Sequence, residues 1–193
     1  NKFDRVTTIK KKKKKTTYYT SNIPWNIENF KLSNDKKSIV FISNEAGLNK
    51  MYLMNTATKA YKEVKNLPIG LISDPHFTKD NQTIFFNQST AQSASDVYQL
   101  NIQTGKINRW TESELGEMQP SDMSVPKFIE WKSFDDLKIS GFYYPASPKF
   151  KGKRPVIIMI HGGPEGQTMA SFLGTNNFYT NEMGVSVVYP NVR

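Results

Sequence analysis

The chain has 193 residues, a net charge of +9, an apolar content of 37% and no cysteine. That length allows one or two domains, and counting the 11 glycines as well brings the apolar share near the ~45% usual for folded proteins. The missing cysteine excludes disulfides and thiolate metal sites but leaves the redox compartment open, and no apolar run approaches the ~18 residues that span a bilayer.

The charge is unevenly placed. Six positive charges lie in one run, Lys10–Lys15, and without them the net charge falls to +3. A lysine run reads as a solvated loop or strand edge. No aromatic residues interleave with it, as a single-strand nucleic-acid binder requires. Neither nucleic acid nor a membrane is therefore expected as a partner. No secretory leader is visible at the start. The chain opens on Asn1 rather than Met, so it is expected to be a piece of a longer protein, and its compartment, cytoplasmic or periplasmic and secreted, stays open.

The first stretch, to Trp25, carries two segments of strand propensity, Val6–Ile9 and Thr16–Tyr19. They read either as a hairpin or as the trailing strands of a unit that begins earlier. From Phe30 the chain repeats itself at an offset of about 45 residues, within the range of four-stranded propeller blades. Phe30 matches Phe77, Asp35 matches Asp80, Ile39 matches Ile84 and Tyr52 matches Tyr98. In each copy an Asp-bearing turn precedes a strand with buried alternates, Ile39 and Phe41 or Ile84 and Phe86. A polar loop is expected next, Ser43–Asn49 or Gln88–Ser95, then a second strand, a turn of the form Asn-x-x-Thr, and a third strand. Such spacing argues for antiparallel sheet, and the repeat favours propeller blades over a sandwich. Two blades cannot close a ring, and their faces need neighbours.

Between Thr111 and Pro126 the pattern stops in a polar connection punctuated by Gly116, Pro120 and Pro126, which reads as an inter-domain linker. Phe128–Lys132 and Leu137–Tyr144 then flank Ser133-Phe134-Asp135-Asp136 as a hairpin. Asp136 falls where a tight turn favours glycine, so a longer or slightly strained turn is expected.

The apolar run Val156–Ile160 reads as a strand buried on both faces, as in a parallel sheet. It ends abruptly in His161-Gly162-Gly163-Pro164. A short helix follows, capped by Asn176 or Asn177 and stopped at Gly184, where a left-handed residue suits a helix end. Val185–Tyr189 reads as a second buried strand. Strand, helix and strand make a right-handed parallel crossover.

Two glycines after a parallel strand suit one task in particular. A carbonyl under nucleophilic attack develops a negative oxygen, and a preorganised N–H stabilises it by about 3 kcal/mol. Ligands of open α/β sheets bind beyond the carboxyl ends of the strands. In α/β-hydrolases one such donor comes from the loop after the third strand and another from the residue after the nucleophile. The alternative is a plain Gly-Gly turn.

Several features occur together and in order: two blade-like repeats, Pro126-Lys-Phe-Ile-Glu-Trp-Lys-Ser-Phe-Asp135, Leu137-Lys-Ile-Ser-Gly141-Phe-Tyr-Tyr-Pro145, Arg154-Pro155-Val156 through His161-Gly-Gly-Pro164, and Gly184-Val-Ser-Val-Val-Tyr-Pro-Asn-Val-Arg193. The series, from Phe30 to Arg193, resembles the prolyl oligopeptidase family of serine peptidases. It is most similar to the acylaminoacyl-peptidase-like branch, where His-Gly-Gly-Pro is usual.

The resemblance implies antiparallel all-β propeller blades followed by the N-terminal part of an α/β-hydrolase domain. Residues 1–112 would be the last blades of the propeller, with 1–27 unsettled, 113–126 a linker, and 127–193 the start of the hydrolase domain. The implied activity of the full-length protein is hydrolysis of short peptides through an acyl-enzyme, the propeller restricting access and no cofactor taking part. The family's Gly-x-Ser-x-Gly elbow, Asp and His lie further on. No Gly-x-Ser-x-Gly occurs in these 193 residues, so the chain alone is expected to be inactive. Some branches place an oxyanion tyrosine where this chain has His161. That departure shifts the donor role to the backbone of Gly162 and Gly163, with Gly163 favoured, and leaves His161 and Pro164 to support the loop. A non-catalytic scaffold of the same fold, and less readily an esterase, are the competing readings.

The remaining candidates carry less. His76 precedes a blade strand and reads as structural. His161 is expected to hold the glycine loop by hydrogen bonding rather than to act as a base. Two distant histidines without clustered carboxylates do not make a metal site. Phe142-Tyr143-Tyr144 reads as core, and Arg193 as an ion-pairing residue. With blade faces and sheet edges left uncovered, the chain by itself is expected to aggregate or fold only in part.

Overall fold

A computed structural model describes residues 3–10, 15–163 and 166–192. Lys11–Lys14 of the lysine run, Pro164 and Arg193 lie outside the described residues. Strands dominate, in sheets that are nearly all antiparallel, and no closed ring is formed among the described residues. The chain divides into two compact units. One comprises Asn1–Pro68, Ile72–Gln88 and Val97–Thr111, and the other Ile69–Leu71, Ser89–Asp96 and Glu112–Arg193.

In the first unit, β1 (Thr7–Lys10) and β2 (Lys15–Tyr18) pair as an antiparallel hairpin. Val6 beside it is buried with Ile23, Ile27, Phe41 and Met54, so this opening segment shares a core with the first repeat. That repeat is a four-stranded sheet of β3 (Asn26–Leu32), β4 (Ser38–Glu45), β5 (Leu48–Asn55) and β6 (Tyr61–Glu63) in sequential order. The second repeat has the same order in β7 (Gly70–Phe77), β8 (Thr83–Thr90), β9 (Ser93–Asn101) and β10 (Ile107–Arg109). Each copy therefore has four strands, not the three expected. The first of the four has no clean alternation of buried and exposed residues. A register shift falls between Ile27 and Asn29 in β3, and β7 contains Pro75 with Asp74 at a φ of 48°. His76 lies on β7 itself, with Nδ1 2.6 Å from the Asp74 carbonyl.

The matched turns are alike in detail. Asp35 accepts from the Ser33 hydroxyl at 2.6 Å and the Lys37 N–H at 3.0 Å, and Asp80 from the Thr78 hydroxyl at 2.5 Å and the Gln82 N–H at 3.1 Å. The two turns also bond to each other, the Asn34 N–H donating to Asn81 Oδ1 at 2.7 Å. Asn55 and Asn101 each accept the N–H three residues on, at 3.0 and 2.9 Å, ahead of left-handed Lys59 and Gly105.

The polar loops expected at Ser43–Asn49 and Gln88–Ser95 are not loops. The strands continue and reverse in tight two-residue turns, Ala46-Gly47 and Ala91-Gln92. Ala46 and Gly47 both have positive φ, as a hairpin turn that matches strand twist requires. The polar side chains are compatible with strand because they find partners inside. Burial in β8 alternates through Ile84, Phe86, Gln88 and Thr90. Gln88 donates to the Pro68 carbonyl at 2.5 Å, and buried Ser43 to Glu45 at 2.9 Å. Val40, Ile42 and Met51 of the first sheet pack with Ile72, Ile84, Phe86, Tyr98 and Leu100 of the second to form the main core.

In the second unit β11 (Lys127–Lys132) and β12 (Lys138–Tyr144) form the expected hairpin. Its turn has Asp136 at a φ of 61° and is closed by a Ser133 N–H bond to the Leu137 carbonyl at 2.8 Å. β13 (Val156–Ile158), α1 (Asn177–Asn181) and β14 (Ser186–Asn191) complete it, and the sheet order is β11-β12-β14-β13. β14 runs antiparallel to β12 and parallel to β13. Gly141 allows the close approach of β12 and β14, since a Cβ there would stand 2.7 Å from the Tyr189 carbonyl oxygen. The connection before β11 is not bare: Met123 and Ser124 are buried, and the Ser124 hydroxyl donates to the Pro145 carbonyl at 2.6 Å.

Two expectations are corrected here. The run Val156–Ile160 is a three-residue strand, not five, and is not buried on both faces: Val156, Ile158 and Ile160 are 52%, 66% and 63% exposed. The sheet order makes β13 an edge, so β14 covers only one side of it. The short helix is present, but neither asparagine caps it through its side chain. Asn176 Nδ2 instead reaches the Tyr189 hydroxyl at 2.9 Å, and a 3-10 turn, Gly174–Asn176, leads into the helix. Gly184 does take the left-handed conformation, at a φ of 62°.

Candidate functional site

The glycine loop leaves the carboxyl end of β13. Pairing with β14 runs one residue past the strand, through the Met159 N–H to the Val188 carbonyl at 2.8 Å, and then stops. His161, Gly162 and Gly163 follow without regular structure, and both glycines are exposed. Gly163 is left-handed, with a φ of 70°. Among the described residues, a Cβ built on Gly162 or Gly163 would meet nothing within 4 Å. Neither glycine donates its N–H to another group among the described residues.

The loop turns back on itself through the Gly166 N–H, which donates to the Gly163 carbonyl at 3.0 Å. Gly166 has no room for a side chain. A Cβ there would stand 2.5 Å from the Gly162 carbonyl oxygen and 2.8 Å from His161 Nδ1. Beyond it, the Thr168 N–H donates to Asn191 Oδ1 at 2.7 Å, which ties the loop's return to the end of β14. Tyr144 anchors the next turn, its hydroxyl donating to the Ser171 carbonyl at 3.0 Å and accepting the Ser171 N–H at 3.2 Å. Burial pushes the Tyr144 phenol up to about 12. Burial also raises Tyr189, against the opposing hydrogen bond from Asn176.

His161 does not behave as expected. Both ring nitrogens are buried and neither has a hydrogen-bond partner, so the ring does not pin the loop by hydrogen bonding among the described residues. It is held by packing against Gly166. Asn191 Nδ2 is a third buried polar atom without a partner in this region. Pro164 lies outside the described residues. Sequence reading singled out His161, Gly162 and Gly163 but missed Gly166, Thr168 and Asn191, which the structure places around the loop. Gly166 carried a signal, as a third glycine within five residues; nothing in sequence pairs Thr168 with Asn191.

Other features do not join this site. A cavity of about 520 Å³ in the second unit is lined by Met118, Met123, Phe172 and Phe178, with Asn177 and Glu182. No described residue of the glycine loop lines it. Among the described residues no group of three or more His, Asp or Glu side chains is placed to hold a metal ion. No helix among the described residues is long and apolar enough to cross a membrane.

No family model matches the chain. No curated protein matches it either. Solved structures do. The fold class defined above, stacked antiparallel sheets joined to a mixed sheet with one parallel pair, is shared with a set of larger enzymes. A puromycin hydrolase structure is similar at 14% identity and a TM-score of 0.81, over 98% of this chain and 30% of that one. Prolyl oligopeptidase B from Galerina marginata is similar at 16% identity and a TM-score of 0.79, over 98% of this chain and 27% of that one. An acylaminoacyl peptidase from Pyrococcus horikoshii is similar at 21% identity and a TM-score of 0.71, over 93% of this chain and 27% of that one. The chain thus spans less than a third of each, and what they share at these identities is the fold.

Proposed function

We propose that this chain is part of a serine peptidase of the prolyl oligopeptidase type, which hydrolyses short peptides through an acyl-enzyme. Residues 1–112 are its blades, 113–126 the linker and 127–193 the start of an α/β-hydrolase domain. The blades restrict access, and the glycine loop provides one oxyanion donor. The nucleophile, its Asp and its His are on sequence other than these 193 residues.

The observation that carries this reading is the position of the loop. β13 is the third strand of its sheet in chain order, and the loop after it leads to α1. That is the place from which α/β-hydrolases draw one oxyanion donor. The exposed Gly163 N–H, without a partner among the described residues, suits the role. Likeness in fold to proteins named as prolyl oligopeptidase, acylaminoacyl peptidase and puromycin hydrolase supports the substrate class.

A serine-directed fluorophosphonate probe tests it. The full-length protein should be labelled on a serine outside residues 1–193 and should cleave short blocked peptides. The 193-residue chain alone should not be labelled. Labelling of this chain would overturn the assignment of the nucleophile. A full-length protein that is neither labelled nor active would favour the non-catalytic scaffold.

A further inference from the structure

We infer that Gly166 is a positioning residue, which sets the direction of the Gly163 N–H by holding the Gly162 carbonyl on the inner side of the loop. The inference rests on the oxyanion reading above and adds to it a residue and a geometry.

The Gly162–Gly163 peptide is trans, so its C=O and N–H point in opposite directions. The Gly162 carbonyl faces Gly166, because a Cβ on Gly166 would be 2.5 Å from that oxygen. The N–H of Gly163 must then point away from Gly166. The Gly163 carbonyl is turned inward as well, where it accepts the Gly166 N–H at 3.0 Å. Two successive carbonyls thus face one residue, and only glycine fits between them and the His161 ring. Space explains the glycine. Any Cβ would push the Gly162 carbonyl outward and rotate the peptide that carries the Gly163 N–H.

The buried imidazole has a matching role. His161 lies against the same face of Gly166, with Nδ1 2.8 Å from the Cβ position. The ring therefore crowds the same Cβ position as the Gly162 carbonyl.

The test is Gly166→Ala in the full-length protein. Misdirecting one oxyanion donor should lower kcat by about 10- to 100-fold. KM should stay within about threefold, because the donor acts on the transition state more than on the ground state. Affinity for a peptide boronic acid, which adds to a serine as a tetrahedral adduct, should fall in parallel with kcat/KM, and affinity for a product peptide should hold. A folded variant with wild-type kcat would overturn the inference. A variant that no longer folds would also overturn it, by giving Gly166 a structural role instead. A second measurement needs no variant. In wild-type protein labelled at glycine nitrogens, boronate binding should move the Gly163 amide proton downfield and leave that of Gly162 in place. The reverse would overturn the stated peptide orientation. A wild-type protein with no turnover and no boronate binding sinks the peptidase reading itself, whereas normal wild-type turnover with an unaffected variant sinks only the role of Gly166.

Discussion

The hydroxyl of Tyr144 and the backbone of Ser171 form a two-way pair, one bond of 3.0 Å given and one of 3.2 Å received. Tyr144 comes from the last residue of β12 and is 1% exposed. A core strand is thereby fastened to the segment that returns from the glycine loop. Removing the hydroxyl leaves a donor and an acceptor of Ser171 unpaired, which costs about 1–3 kcal/mol. Tyr144→Phe should lower unfolding free energy by that amount in denaturant titration. The raised phenol has a sign as well. Its folded value of about 12 lies above the ordinary 10.0, so its contribution is full below pH 10 and is lost as pH rises through 12. Tyr144→Phe should remove that part of the alkaline loss.

Glu45 gives the opposite limb. Burial by itself would raise its carboxyl, but hydrogen bonds from Lys50, Tyr52 and Ser43 outweigh burial and hold it below the ordinary 4.5. A depressed carboxylate contributes stability above its unfolded value, lost as pH falls through the folded one. Thermal melts between pH 6 and pH 2 should therefore show less acid destabilisation in Glu45→Gln than in wild type, with the difference opening below pH 4.5.

Phe41 is the centre of the first repeat. It is 0% exposed, stacks on Tyr52 with centroids 5.0 Å apart and meets Tyr61 edge-on at 5.6 Å. Phe41→Ala removes both ring contacts and opens a cavity, so a loss of about 3–5 kcal/mol is expected from chemical denaturation. Substitution of exposed Phe30, on the neighbouring strand, should cost far less.

β13 presents an unpaired edge and apolar side chains. Such an edge is a template for association. The 193-residue chain expressed alone should self-associate with rising concentration in light scattering, and Ile158→Lys, at a residue 66% exposed, should reduce the effect. A chain that stays monomeric at every concentration and melts sharply would contradict this.

Much of the strand plan was legible in local sequence. The repeat could be read because Asp35 and Asp80, or Asn55 and Asn101, build the same turns from their own neighbours. Ser43, Gln88 and Ser93 misled. Their polarity suggests loop, and only their partners, Glu45 for Ser43, Asp96 for Ser93 and the distant Pro68 carbonyl for Gln88, make them acceptable inside a strand. The glycine loop was legible as a motif, but its geometry was not. Nothing local says that Gly166 sits against the Gly162 carbonyl, or that Asn191 holds the Thr168 N–H.

Sequence alone determined the strand repeat, the Asp and Asn turns, the hairpin before the last sheet and the place of the glycine loop, because each depends on residues a few positions apart. Tertiary structure alone decided the order β11-β12-β14-β13, the exposure of β13 and the approach of Gly166 to the Gly162 carbonyl. Those depend on contacts between segments far apart in the chain, and on which sides of a strand or peptide other groups come to occupy.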